Sequence, residues 1–179
     1  MMKRIAFIIN PKSGTKSKES LPEIIEKTLS KENFDSKIVY TQYAGHGKEL
    51  AQQLSAEGYD IVVACGGDGT VNEIASALVH TNTALAIVPL GSGNGLGRHL
   101  GYSMSASKAL AQINEAEEEH IDYAKANDRC FFCTCGTGFD AHVSHSFSNM
   151  KTRGLLSYIK TVVREYWNYK PYTYVIKAN

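Results

Sequence analysis

Apolar and polar positions along the chain switch repeatedly between two periods. Residues 4–10, RIAFIIN, form an almost unbroken apolar run that stops at Pro11, which predicts a buried strand. In residues 19–30, ESLPEIIEKTLS, the side chains Leu21, Ile24, Ile25 and Leu29 recur at helical spacing. SKIVYT (36–41) predicts a second strand, and GKELAQQLSAEG (47–58) a second helix with Gly58 as its C-terminal stop. YDIVVAC (59–65) is nearly all apolar, as a strand covered on both faces of a parallel sheet must be. A helix over 70–79 and a strand over 84–90, ALAIVPL, complete the series.

Three successive β–α units predict an α/β fold, an open and mostly parallel sheet with helices on both faces. Right-handed crossovers would align the C-terminal strand ends along one edge, where such sheets bind ligands. Beyond residue 100 the pattern loosens. A helix is predicted over 105–113, and a β-hairpin from 120–127 and 129–136 turning near Asn127 and Asp128. Helical spacing returns at 138–147 and 154–167, and YTYVIKAN (172–179) alternates as a strand does. That last strand has nothing after it to pair with. The expected division is therefore an α/β domain over 1–170 and the start of a C-terminal β domain over 171–179.

Composition changes this picture mainly by exclusion. A net charge of +1 gives no general pull toward nucleic acid, so any anion site has to be built locally. No apolar run approaches the ~20 residues that span a bilayer, and the start MMKRIAFIIN is too short in apolar residues for a signal peptide. Of the four cysteines, Cys130, Cys133 and Cys135 fall in one predicted strand, with Cys133 and Cys135 on a shared face. No second Cys or His pair sits at zinc-ligand spacing, so reduced, buried thiols are expected. The acidic run 115–119 reads as a solvated loop.

Candidate chemistry concentrates at strand ends. VVAC is followed directly by Gly66, Gly67, Asp68, Gly69 and Thr70, then by a helix. Glycines let the backbone approach an anion and turn its N–H groups inward, and the helix adds the positive end of its dipole. Thr70 is a candidate cap. Asp68 is the odd member, because a carboxylate repels phosphate. It makes sense as a holder of Mg²⁺ or as a proton acceptor, or more plainly as a helix cap in a tight turn. A second loop, PLGSGNGLGRHLG (89–101), offers Ser92, Asn94 and Arg98; a third, NPKSGTKSK (10–18), offers Lys12, Lys16 and Lys18. Three donor-rich loops at three strand ends point to one polyphosphate site. No G-x-x-x-x-G-K-[ST] occurs, and GTGFDA (136–141), which fits a loose dinucleotide fingerprint, lacks an acidic partner near Lys160.

Other side chains carry weaker signals. His142, His145 and Asp140 could meet a lipid headgroup, though a structural role suits the two histidines better. His46 belongs to a helix-entry loop. The helix over 154–167 has Leu155, Leu156, Ile159, Val162, Val163 and Tyr166 on one stripe, which reads first as a core face and second as a membrane-facing one beside Trp167 and Tyr169.

The blocks NPKSG (10–14), GGDGTVNE (66–73), PLGSGN (89–94) and GTGFDA (136–141) occur in the order seen in diacylglycerol kinase catalytic domains. The chain resembles that family, which includes bacterial lipid kinases and sphingosine kinases. The resemblance implies a nucleotide-binding α/β domain followed by a β-sandwich, with the active cleft between them. It also implies that Gly66, Gly67, Asp68, Gly69, Thr70, Val71 and Asn72 wrap ATP phosphates, with Glu73 bracing their loop. Asn10, Ser13 and Gly14, Thr41 at the end of the second strand, and Gly91, Ser92, Gly93 and Asn94 complete the nucleotide set. Lys151 or Arg153 resembles the basic group that meets the phosphates. In bacterial members the catalytic acid and a structural Mg²⁺ site lie in the second domain, which leaves Asp68 as the catalytic and metal candidate here. The implied activity is ATP- and Mg²⁺-dependent phosphorylation of a diacylglycerol- or sphingoid-like lipid hydroxyl. The alternatives are an NAD kinase-like enzyme and a non-catalytic nucleotide module. The implied setting is cytoplasmic, or peripheral on the inner membrane face, with a homodimer left open.

Overall fold

A computed structural model describes residues 2–13, 21–148 and 155–177. It divides into two compact units, Met1–Cys133 and Thr134–Asn179.

The first unit is built on a sheet of four parallel strands: β1 (Lys3–Ile9), β2 (Phe34–Tyr40), β3 (Ile61–Gly66) and β4 (Ala84–Pro89). Their order is β2-β1-β3-β4. Of the three strands with unbroken apolar runs, β1 and β3 lie in the middle and β4 takes an edge, with Ala84 and Leu85 only half-buried. Residues Ile5 to Ile9 of β1 are wholly excluded from solvent, because each face of the strand meets a helix layer. β2, with Asp35, Ser36 and Lys37 in its first half, takes an edge.

Strict alternation along the strands sorts the core into two halves. Ile5, Phe7, Ile9, Val63, Cys65 and Val88 face α1 (Leu21–Thr28) and α5 (Ala106–Glu115). Ala6, Ile8, Val62, Ala64 and Ile87 face α2 (His46–Ala56), α3 (Asp68–Leu78) and Leu96 of the short α4 (Gly95–His99). Each large side chain fully buried this way stabilises the fold by about 1.5–3 kcal/mol relative to exposure. The strand order reverses between β1 and β3, so the chain leaves their C-terminal ends toward opposite faces. That is the switch point at which open α/β sheets form a crevice.

The predicted elements are present with shifted ends, and some expectations need correction. α2 stops at Ala56, and Gly58 follows with φ +77, as a C-terminal stop requires. α3 starts at Asp68, two residues before the predicted start, so Thr70 is not its cap. Gly67 takes the cap position, and Thr70 is buried in the first turn. α4 was not foreseen, because two glycines in five residues hide its helical spacing. The hairpin forms from β5 (Ala124–Ala126) and β6 (Arg129–Phe131), with Asn127 at φ 53 in the turn. β6 ends at Phe131, so Cys133 and Cys135 do not share a strand face. Both thiols are exposed, contrary to the expectation that they are buried; only Cys65 is buried.

The second unit contains α6 (Phe139–Ser148) and α7 (Leu155–Asn168). The strand predicted over 172–179 does not form in its described part. Residues 169–177 are irregular, with Val175 86% and Ile176 79% exposed, because no described strand pairs with them. Among the described residues no helix is long and apolar enough to cross a membrane.

Candidate phosphate-binding loops

All four strands are parallel, so the loops that leave them lie along one edge of the sheet. Four of these loops are joined there by named contacts. Leaving β1, Asn10 donates its backbone N–H to the Cys65 carbonyl at 3.0 Å, and its Nδ2 donates to Thr70 Oγ1 at 2.9 Å. The first contact holds the loop after β1 against β3; the second bridges the crevice to α3. Asn10 Oδ1 accepts the Lys12 N–H at 2.9 Å, and the Ser13 hydroxyl donates to the Asn10 carbonyl at 3.1 Å. Thr41 continues the ladder past β2, donating its N–H to the Ile9 carbonyl at 2.9 Å, and is buried.

Glu73, on α3, accepts the Gly45 N–H at 3.2 Å and so ties the loop after β2 to that helix. The resemblance implies that Glu73 braces residues 66–72, whereas this bond reaches the loop after β2. At the first residue of α2, His46 Nδ1 accepts the Gln42 N–H at 3.1 Å and its ring stacks on Tyr43, so the imidazole shapes the helix entry.

The glycines of the two central loops have two different reasons to be glycine. A Cβ on Gly66 would lie 2.5 Å from Thr70 Cβ, one on Gly91 2.6 Å from the Gly67 Cα, and one on Gly93 2.7 Å from Asp68 Oδ2. These positions are set by the packing of the loops on each other and on α3. Gly69 is the exception: a Cβ there would meet nothing within 4 Å. It is exposed in the first turn of α3, where helical N–H groups lack intrahelical partners.

The loop after β4 is closed by Asn94. Its Oδ1 accepts the Gly91 N–H at 2.9 Å and its Nδ2 donates to the Gly91 carbonyl at 2.7 Å, while its backbone takes φ 55. The amide therefore shapes the loop, and Ser92 is the exposed hydroxyl at its tip. Arg98 folds back, its Nε donating to the Gly93 carbonyl at 2.8 Å. Asp68 is exposed and stands between the two loops. Its Oδ2 accepts the Asn94 N–H at 2.8 Å and its Oδ1 the Gly95 N–H at 2.6 Å. Sequence reasoning had no signal for this contact, because the partners are separated by more than 25 residues and both are backbone groups.

Val71 is buried in α3, and Asn72 is exposed on the same helix. Cys65, beneath the loops, has its thiol pushed far up by burial, which makes it a core residue and not a nucleophile. Gly14, Lys16, Lys18, Lys151 and Arg153 lie outside the described residues. Among the described residues no three His, Cys, Asp or Glu side chains gather as a metal cage. A cavity of about 1310 Å³ lies at the opposite edge of the sheet, among Lys3, Phe34, Ile61, Ala84 and residues 116–123. That edge carries the strand N-termini, where α/β sheets do not place their ligands.

His142 and Asp140 belong to α6 in the second unit. His142 Nε2 meets Glu165 Oε2 at 2.7 Å, and Glu165 Oε1 accepts Arg164 Nη2 at 2.7 Å. The guanidinium first, and then the imidazole, hold the Glu165 carboxyl below the ordinary carboxylate range. The contact fastens α6 to α7, which is the structural role preferred for His142.

Comparison with known proteins decides the family. The model of the diacylglycerol kinase catalytic domain matches residues 4–126, which contain three of the four sequence blocks. The chain belongs to this family. A diacylglycerol kinase from Staphylococcus carnosus is 31% identical over 99% of this chain and 54% of its own length. One from Staphylococcus saprophyticus is 32% identical over 81% of this chain and 48% of its own. The crystal structure of a diacylglycerol kinase from Bacillus anthracis superposes with a TM-score of 0.62 at 28% identity, covering 72% of this chain and 48% of that one. The chain thus spans about half the length of the diacylglycerol kinases it matches.

Proposed function

We propose that this chain carries the nucleotide site of an ATP- and Mg²⁺-dependent lipid kinase that phosphorylates a diacylglycerol- or sphingoid-like hydroxyl. One observation carries the reading. The loops after β1, β3 and β4 are bonded to one another at the switch point of the sheet, beside the exposed first turn of α3. Phosphoryl transfer asks a protein mainly for positioning and charge stabilisation. Here backbone N–H groups at Gly69 and the start of α3 would meet phosphate oxygens, with the helix dipole adding to their attraction. The Ser92 hydroxyl would contact the nucleotide from the facing loop. Thr41 and Asn10 would bound the crevice.

The residues present fit Mg²⁺ as a nucleotide-borne ion. Such an ion takes one or two carboxylates, with phosphates and water completing its shell. Asp68 is the exposed carboxylate placed to supply one. When bound, the ion neutralises developing charge on the phosphates. The lipid would approach from a membrane. α7 supports this, since Ile159, Val163, Tyr166 and Trp167 are exposed beside Lys160. The cytoplasmic face of a membrane is the setting this reading assigns.

The test is transfer of labelled phosphate from ATP in Mg²⁺, offering diacylglycerol, a sphingoid base and NAD⁺ in turn. Label on a lipid hydroxyl is the expected outcome. Label on NAD⁺ alone contradicts it, and ATP binding without transfer to any acceptor reduces the chain to a nucleotide-binding module.

A further inference from the structure

The sequence of the loop after β3 offers a carboxylate where phosphate is expected, and the contacts of Asp68 give it a job that needs neither metal nor proton transfer. Each carboxylate oxygen accepts one backbone N–H from the other glycine loop, Asn94 at 2.8 Å and Gly95 at 2.6 Å. Hydrogen bonds to an ionised acceptor are about twice as strong as neutral ones. Gly93 is pressed against the same carboxylate so closely that a Cβ there would come within 2.7 Å of Oδ2. At the far side of the loop, Gly91 meets the Gly67 Cα without room for a Cβ, and the Asn94 side chain closes Gly91 through both its N–H and its carbonyl. The loop after β4 is therefore seated on the end of β3 and the loop after it at three points: the Leu90 N–H donates to the Gly66 carbonyl at 2.8 Å, Gly91 packs on Gly67, and Asp68 holds Asn94 and Gly95.

We propose that Asp68 is a positioning residue: it locks the second glycine loop onto the start of α3, so that both loops meet a nucleotide as one preformed surface. The proposal rests on the reading of the loops as a nucleotide site, and it assigns Asp68 an action on the loop that carries Ser92. The Leu90–Gly66 bond and the glycine–glycine contact fix only the start of the loop, at residues 90 and 91. The carboxylate supplies the directional bonds that set the orientation of residues 92–95. An asparagine keeps the size of the side chain but presents one acceptor in place of two, and loses the charge.

The experiment compares wild type with Asp68→Asn and Gly93→Ala. Amide exchange is followed at Asn94 and Gly95 without nucleotide, and affinity for a non-hydrolysable ATP analogue is measured both with Mg²⁺ and with the metal chelated. Losing one charge-assisted bond predicts about a tenfold or larger rise in exchange at Asn94 or Gly95 in Asp68→Asn. It also predicts weaker analogue binding in the absence of metal, which a purely metal-holding role would not produce. Gly93→Ala, which displaces the carboxylate but keeps it, should give the same pattern, and the double variant should add little to either. Unchanged exchange at both amides in Asp68→Asn, or an affinity loss confined to the Mg²⁺ condition, overturns the proposal. If wild type binds no nucleotide, the reading of the site fails by itself, and the exchange data still decide whether Asp68 holds the loop.

Discussion

The two units are stabilised in different ways. Residues 1–133 wrap a sheet in two apolar layers, and the loops at its edge are bonded to each other. In residues 134–179 the described buried side chains are Val143, Thr161 and Glu165, and α6 meets α7 partly through the His142–Glu165–Arg164 chain. Charge divides the same way. Residues 134–179 carry six Lys or Arg against two Asp or Glu, a net +4, which leaves −3 for residues 1–133 of a chain whose total is +1. A near-neutral total therefore conceals a basic segment and an acidic one. The difference teaches that apolar packing and loop-to-loop hydrogen bonding are concentrated where the proposed nucleotide site is. The second unit instead offers exposed aromatic and basic side chains.

The largest test of this contrast is a pair of truncations. Phe7 is fully buried at the centre of the sheet, so Phe7→Ala should destabilise the first unit by about 3–5 kcal/mol in urea unfolding. Trp167 is 81% exposed, and Trp167→Ala should stay within about 0.5 kcal/mol. A large loss at Trp167 would mean that the second unit has a core of its own.

Two glycines three residues apart, Gly66 at the end of β3 and Gly69 in the first turn of α3, test the packing of the loops. Gly66→Ala drives a Cβ into Thr70 and should cost about 1–3 kcal/mol. Gly69→Ala meets nothing and should be neutral, or stabilising by up to about 1 kcal/mol from helix propensity. If the first turn of α3 receives phosphate, Gly69→Ala should nonetheless weaken binding of an ATP analogue. Thermal melts and a fluorescent-nucleotide titration read the two effects separately.

Asn94 separates loop shape from backbone strain. Both Asn94→Ala and Asn94→Gly lose the pairing with Gly91, but only glycine accepts φ 55 freely, so alanine should be worse by about 1 kcal/mol. Equal stabilities would remove the strain argument. The smallest effect belongs to the second unit. Glu165 titrates below its unfolded value, so its contribution is present above the unfolded carboxylate pKa and is lost as pH falls through the depressed folded value. Amide protection in α7, with exchange rates corrected for their intrinsic pH dependence, should therefore hold steady from neutral pH to about 5 and fall below about 4. A loss of protection confined to neutral pH would point to another group.

Much of the fold could be read from periodicity, because Ile5–Ile9 of β1 and Ile61–Cys65 of β3 are unbroken apolar runs and the helices between them keep a clean stripe. Failures arose where local pattern is weak. α4 is masked by Gly95 and Gly97, and the alternation of residues 172–179 finds no described partner strand. At the site, the glycine blocks announced the loops. They did not announce that Gly66, Gly91 and Gly93 answer to neighbouring side chains and backbone, since those distances exist only once β3 and β4 lie side by side. Asp68 shows the same limit. Its residue type suggested metal or proton chemistry, and its backbone partners became visible only in three dimensions.

The proposed function requires the carboxyl edge of the sheet to grip a nucleotide. Titrating an ATP analogue with Mg²⁺ into isotopically labelled protein, while following every backbone amide, tests that most directly. The predicted outcome is shifts concentrated at Asn10, Gly66 to Thr70 and Ser92 to Gly95, with the hairpin amides at Ala124–Ala126 and Arg129–Phe131 unmoved. Shifts gathered instead around Phe34, Ala84 and Tyr123, at the opposite edge, would contradict it.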